Sequence, residues 1–556
     1  MEAEKSPAEL DRGANSDDEE DLNPSSSPKR ARHNHNNCAN DLATDSGQED
    51  DDLQSTIHPL LIDHVAKKIF SFLKWERSNP TILNCRQVCK TWYHIISNLM
   101  KRKRMVGKRI FGYGDTDRME NFLNVMRNTT NLPINEFEFD VNFFISRNEL
   151  IFNEFLSVCS PFITHLSLSF GKHYSMNLMS MDFENVNFCN LKSLTFQCVY
   201  MNTMQHVNKE SAKQLESFEF CIPSQHFDGE YAKQANARFG NLLASEALAG
   251  TVKNLKLIME IQQNHLAGLS RLKLQKLRMN FYGSQLNAGA IEQFLQQQAG
   301  TLVELRISDL ENKFAEHLSF PQLNKVKFLE IKGGNSSSFA FLKFFPKMET
   351  FVLRNGRNSN PLGDSNDSKE VEAIMYPTVK EVELTYPIES INLVQRIASY
   401  FPNLQVFKIQ AGPDSTKAIE SIFETMTDLV ELQIVFPQMF SNQPLDPLFT
   451  GIPVGWCHRI KENEAYNIQD QNDVYNAVVR KPSLDNLKKL QRLSIQAESY
   501  AIILTDVSVH YSFFRLPALS EIILGSGCHS ISSECFQMLK TRFKVTERSS
   551  IIHTYI

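Results

Sequence analysis

Residues 252–279 read VKNLKLIMEIQQNHLAGLSRLKLQKLRM and contain one pattern twice. In VKNLKL (252–257) and in LQKLRM (274–279), apolar residues stand at the first, fourth and sixth positions. The fourth and sixth are two apart, so both face the same side of a short strand. Upstream the pattern recurs as INEFEF (134–139), ITHLSL (163–168), LKSLTF (191–196) and LESFEF (215–220). Downstream it continues as LVELRI (302–307), VKFLEI (326–331), METFVL (348–353), VKEVEL (379–384) and LQVFKI (404–409). LVELQI (429–434), LQRLSI (490–495) and LSEIIL (519–524) complete the series. Fourteen copies, most of them 22 to 31 residues apart, exceed chance alternation, and a period of that size means a solenoid. Between copies lie helical patterns such as Ala290–Leu295 and Leu393–Ala398, so each repeat carries a strand and then a helix.

These copies resemble leucine-rich repeats, which implies an α/β solenoid, a horseshoe whose parallel strands line the concave side. The family's asparagine, eight residues after the first apolar position, appears once, at Asn142. Gly or Pro often stands there instead, as at Gly171, Gly334, Pro387 and Gly412. Backbone geometry therefore has to make the turns in place of an asparagine ladder. Two interruptions break the period: a polar loop at 355–370 and an insertion at 437–486. The insertion holds Phe449 and Trp456, large apolar residues that are costly to leave solvated, so it is expected to bind a partner or stay mobile.

Ahead of the repeats, residues 57–100 read IHPLLIDHVAKKIFSFLKWERSNPTILNCRQVCKTWYHIISNLM. Leu61, Val65, Ile69, Phe72 and Leu73 lie on one face of an amphipathic helix, and Ser78-Asn79-Pro80 breaks it. A second helical pattern carries Val88, Trp92 and Ile96. Two helices of about fifteen residues can hardly bury so many large side chains against each other. Ile69-Phe70-Ser71-Phe72-Leu73, followed by Cys85-Arg86-Gln87-Val88-Cys89-Lys90-Thr91-Trp92-Tyr93, resembles an F-box motif. The resemblance implies docking on a Skp-type adaptor and, through it, on a cullin scaffold. Pro59, Leu60, Leu61, Val65, Ile69, Phe70, Leu73, Val88 and Trp92 would carry that contact.

The rest of the 556-residue chain is bounded by composition. Residues 1–56 hold 15 acidic and five basic side chains and almost no aromatics, the make-up of a disordered acidic tail. The expected order is this tail, an F-box at 57–104, a helical linker or cap at 105–133, repeats over 134–545, and a C-terminal tail at 546–556. No run approaches eighteen apolar residues, so no membrane span is expected, nor does the N-terminus read as a signal peptide. Ser27-Pro28-Lys29-Arg30-Ala31-Arg32 resembles a short import signal, and the ten scattered cysteines suit a reducing cytoplasmic or nuclear setting. The Lys101–Arg104 cluster has no aromatic platform beside it and reads as a solvated helix end rather than a nucleic-acid site.

Catalysis has no visible constellation. There is no Walker loop, HExxH or GxSxG, Gly112-Tyr113-Gly114 lacks the third glycine of a phosphate loop, and no spacing marks a metal or cofactor site. The resemblance implies a non-catalytic ligase subunit that recognises a substrate protein; a repeat scaffold without ubiquitin transfer is the alternative. On the strands, Lys256, Arg278 and Arg306 occupy equivalent outward positions in consecutive repeats, with Lys276 and Arg354 flanking them. Like charges so close are unfavourable unless an anion visits or the neighbouring Glu304 and Glu330 screen them. The row, with Trp456, is the expected substrate site, suited to an acidic or phosphorylated segment.

Overall fold

The structure, a computed structural model, describes residues 108–112, 115–127, 135–139, 149–169, 186, 188–197, 214–221, 251–259, 261–281, 286–308, 320–333, 339–354, 375–436, 445–462, 478, 481–497, 504–525 and 529–548, with Lys68, Phe70, Trp92 and Ile95. The chain divides into two units, Met1–Ile62 and Asp63–Ile556, and every described residue belongs to the second. The acidic tail and the 355–370 loop lie outside the described residues.

Among the described residues sixteen strands form one sheet, in strict sequence order and wholly parallel. The strands are β1 (Lys108–Phe111), β2 (Glu136–Phe139), β3 (His165–Ser169), β4 (Ser193–Gln197) and β5 (Ser217–Cys221). Next come β6 (Asn254–Ile258), β7 (Lys276–Asn280), β8 (Glu304–Ser308), β9 (Phe328–Lys332) and β10 (Thr350–Arg354). The last six are β11 (Glu381–Ile388), β12 (Val406–Ala411), β13 (Glu431–Phe436), β14 (Arg492–Ala497), β15 (Glu521–Gly525) and β16 (Lys544–Arg548). Parallel neighbours need a crossover, and helices such as Ala288–Gln298, Ile391–Tyr400 and Thr416–Thr425 supply it.

The fourth and sixth positions of each copy face the helices. Leu255 and Leu257, Leu277 and Met279, Leu305 and Ile307 are all buried in one continuous core with Ile291, Phe294 and Leu295. Near the N-terminal end the same core is built from phenylalanine: Phe111, Phe139, Phe152 and Phe155 pack with ring centroids 4.8 to 6.5 Å apart.

At the entry to the strands the repeats are joined by backbone hydrogen bonds. The residue just before each strand donates its N–H to the equivalent carbonyl one repeat earlier, as in Gln275→Lys253, Val303→Gln275, Lys327→Val303 and Glu349→Lys327, at 2.7 to 2.8 Å. The series runs from Thr164→Asn135 ahead of β3 to Ser520→Gln491 ahead of β15, and each of these carbonyls also accepts the next residue's N–H, as Lys253 does from Lys276 at 3.0 Å; at β16 the strand's first residue alone joins, Lys544→Ser520. Repeats are thus tied edge to edge with no side chain required.

Two boundaries differ from those read in the sequence. The expected linker at 105–133 contains β1 and a helix, Thr116–Arg127, and β1 pairs with β2 as part of the sheet. At the other end β16 runs to Arg548, so the sheet enters the expected tail. Within the 437–486 insertion, helices Asp446–Thr450 and Val454–Glu462 are described, and Leu445, Leu448 and Phe449 join the main core. Phe449 is therefore a packing residue and not a solvated one.

Candidate binding face

Alternation along each strand turns the remaining side chains to the face away from the core, and cross-strand register sets their rows. Lys256 stands opposite Arg278, Arg278 opposite Arg306, Arg306 opposite Glu330, and Glu330 opposite Val352. The basic row expected from the sequence does exist, but most of it is neutralised. Lys256 pairs with Glu219 on β5, and Lys276 with Glu304 at 3.1 Å. Arg306 reaches Glu304 through Nε at 2.6 Å and Glu330 through Nη1 at 3.0 Å, with its guanidinium 4.5 Å from the Phe328 ring centroid. Arg354 closes on Glu330 at 2.8 Å and on Glu383 at 3.3 Å. Lys408 pairs with Glu381 at 2.5 Å.

Glu330 sits between two guanidinium groups and is only 5% exposed, which a carboxylate tolerates because both oxygens are matched by charge. Burial by itself would raise the pKa of Glu304, but hydrogen bonds from Arg306 and Lys276 outweigh it and hold the group below its ordinary value. At Lys408 burial opposes the charge, and the Glu381 carboxylate prevails and raises the pKa. Arg278 differs from its neighbours: among the described residues no carboxylate comes within 4.0 Å of its guanidinium.

Not every outward position is solvated. Val352, Ser494 and Ile523 are buried along with Glu330, so the middle outward positions of β9, β10, β14 and β15 are closed to solvent.

Trp456 lies on the Val454–Glu462 helix and is 38% exposed, next to the half-open Val454. The rest of that helix is anchored: Cys457 packs with Ile452, Val507 and Tyr511. The insertion is further fixed by Asp446, a residue that periodicity did not single out. Its carboxylate is buried and accepts hydrogen bonds from Thr505 and Ser508, beyond β14.

Of the F-box candidates, Phe70 and Trp92 are described. Phe70 is 2% exposed and meets Trp92 edge to face, with ring centroids 4.9 Å apart. This edge-to-face contact joins one residue of each motif block. Pro59, Leu60, Leu61, Val65, Ile69, Leu73 and Val88 lie outside the described residues.

Among the described residues one cysteine–histidine contact occurs, Cys535 Sγ to His510 Nε2 at 3.8 Å. Burial pushes the Cys535 thiol up to about 12 and lowers His510, so both are neutral near pH 7 and the pair lacks an activated thiolate. Among the described residues no group of three or more His, Cys, Asp or Glu could hold a metal ion, and no helix is long and apolar enough to cross a membrane.

No family model matches the chain, and no curated protein matches it. Among solved structures it is similar to a Bacteroides fragilis protein at 13% identity, over 58% of this chain and 84% of that one, with a TM-score of 0.30. It is similar also to an internalin from Listeria monocytogenes at 13% identity, over 74% of this chain and 95% of that one, with a TM-score of 0.28.

Proposed function

We propose that this chain is the substrate-recognition subunit of a cullin-based ubiquitin ligase. In this reading residues 57–104 form an F-box that binds a Skp-type adaptor. The leucine-rich repeats form a horseshoe whose outward strand face captures the target protein. The chain itself does no covalent chemistry; it holds a substrate lysine at high effective concentration near subunits that do. The Phe70–Trp92 contact carries the reading furthest, because it brings together the Ile69–Leu73 and Cys85–Tyr93 blocks, as a single small helical module requires. Co-expression of the full chain with a Skp-type adaptor tests it. The two proteins should co-elute in stoichiometric amounts, and separate elution contradicts the F-box half.

A repeat scaffold that binds a protein without ubiquitin transfer shares the second half of this account. The ion-paired face of β5–β12 supports either version, since it does not depend on the motif. Adaptor binding separates the two.

A further inference from the structure

Most cations of the outward face follow one rule. Lys256, Lys276, Arg306, Arg354 and Lys408 each have a carboxylate partner on the same strand or a neighbouring one. Arg278 is the break in the series, in register between Lys256 and Arg306 and half-buried. A partly desolvated guanidinium with no counter-charge is unfavourable, and its planar fork of donors matches one carboxylate in the geometry its neighbours already adopt. We propose that Arg278 anchors an acidic segment of the protein this chain binds, through a carboxylate that fills the gap in the ladder. The inference rests on the reading that this face binds a protein, and it names the chemistry of that partner.

A second cation gives the segment a length. Lys332, exposed on β9, also has no carboxylate within 4.0 Å among the described residues. It lies two strands and two residues beyond Arg278. From strand spacing and rise that is about 12 Å, which an extended peptide covers in three or four residues. The bound segment therefore carries two acidic side chains at about that spacing. A carboxylate fits better than a phosphoryl group. Glu304 and Glu330 flank Arg306 on the adjoining side, and a dianion would meet their repulsion more strongly than a monoanion does.

The test uses the purified full chain and a labelled Ser/Gly peptide with two glutamates four residues apart, read by fluorescence anisotropy. Glutamine, phosphoserine and lysine twins serve as comparisons. The glutamate peptide should bind at least about tenfold tighter than its glutamine twin, and Arg278→Gln should remove most of that difference. Arg278→Glu should invert the preference toward the lysine twin, which a merely unfolded variant would not do. Equal binding of the glutamate and glutamine peptides overturns the proposal, as does an Arg278→Gln variant that binds like the wild type. A phosphoserine twin about tenfold tighter than the glutamate peptide also overturns it, in favour of phosphoryl recognition. Adaptor co-elution, measured on the same preparations, separates failure of this inference from failure of the ligase reading.

Discussion

The Asp446 carboxylate accepts hydrogen bonds from the Thr505 backbone N–H at 3.0 Å and from its hydroxyl at 2.6 Å, across 59 residues of sequence. Ser508 Oγ adds a third at 2.6 Å. The helix that Asp446 begins ends at Gly451, whose φ of 71° lies in the left-handed region that glycine adopts without strain. One buried carboxylate thus fastens the insertion to the repeat that follows β14.

Replacing Asp446 by Ala leaves three buried donors without an acceptor and should lower stability by about 3 kcal/mol. Thr505→Val keeps the backbone bond and should cost about 1 kcal/mol. Urea unfolding checks the magnitudes, and limited proteolysis should show earlier cleavage in the insertion of the Asp446 variant. An Asp446→Ala protein with an unchanged urea midpoint would show that this contact does not hold the insertion.

Glu330 links Arg306 and Arg354, so Glu330→Ala takes one carboxylate from each guanidinium and leaves Arg306 with Glu304 and Arg354 with Glu383. Both arginines keep contact with solvent, which limits the loss to about 2 kcal/mol. In a double-mutant cycle, Glu330→Ala and Arg354→Ala should couple by about 1 kcal/mol. Strict additivity would mean that the ladder is a surface decoration.

The depressed pKa of Glu304 sets a direction for pH dependence. A carboxylate whose folded pKa is below its unfolded value contributes stability above the unfolded value, about 4.3 for Glu, and loses it as pH falls through the folded one. Acid unfolding of the wild type should therefore be steeper below about pH 4 than that of Glu304→Gln. Identical curves would contradict the assignment.

Burial pushes the thiols of Cys159, Cys457 and Cys535 up to about 12, whereas Cys189 is exposed. Iodoacetamide at pH 8 should modify Cys189 well before these three, as mass spectrometry of timed digests would show. Early labelling of Cys535 would mean that its contact with His510 activates the thiol.

The sheet was legible because its signal is local. All fourteen copies of the pattern became strands, β2 to β15, since two inward apolar residues suffice to mark each one. The end strands escaped notice for a physical reason. Arg109 stands where β1 should show an apolar residue, in register with Phe137, and Glu547 does so on β16, in register with Leu524. Each end strand has a sheet neighbour on one side only, so the demand for apolar residues is relaxed there. Asp446 was not legible at all, because its partners come from a distant repeat. For the basic row, one-dimensional spacing placed the cations in line, but only the register showed which carboxylates reach them. That is how Arg278 came to stand apart from Lys256 and Arg306.

The proposed function requires two separable contact regions on one chain, residues 57–104 for the adaptor and the outward strand face for the target. The most direct test isolates the full chain in three forms, wild type, Leu60→Ala/Leu61→Ala and Arg278→Glu, and quantifies adaptor and captured target together by mass spectrometry. The account predicts that the leucine variant loses the adaptor and keeps the target, while the Arg278 variant loses the target and keeps the adaptor. Loss of both by either folded variant, or of neither by both, would contradict it.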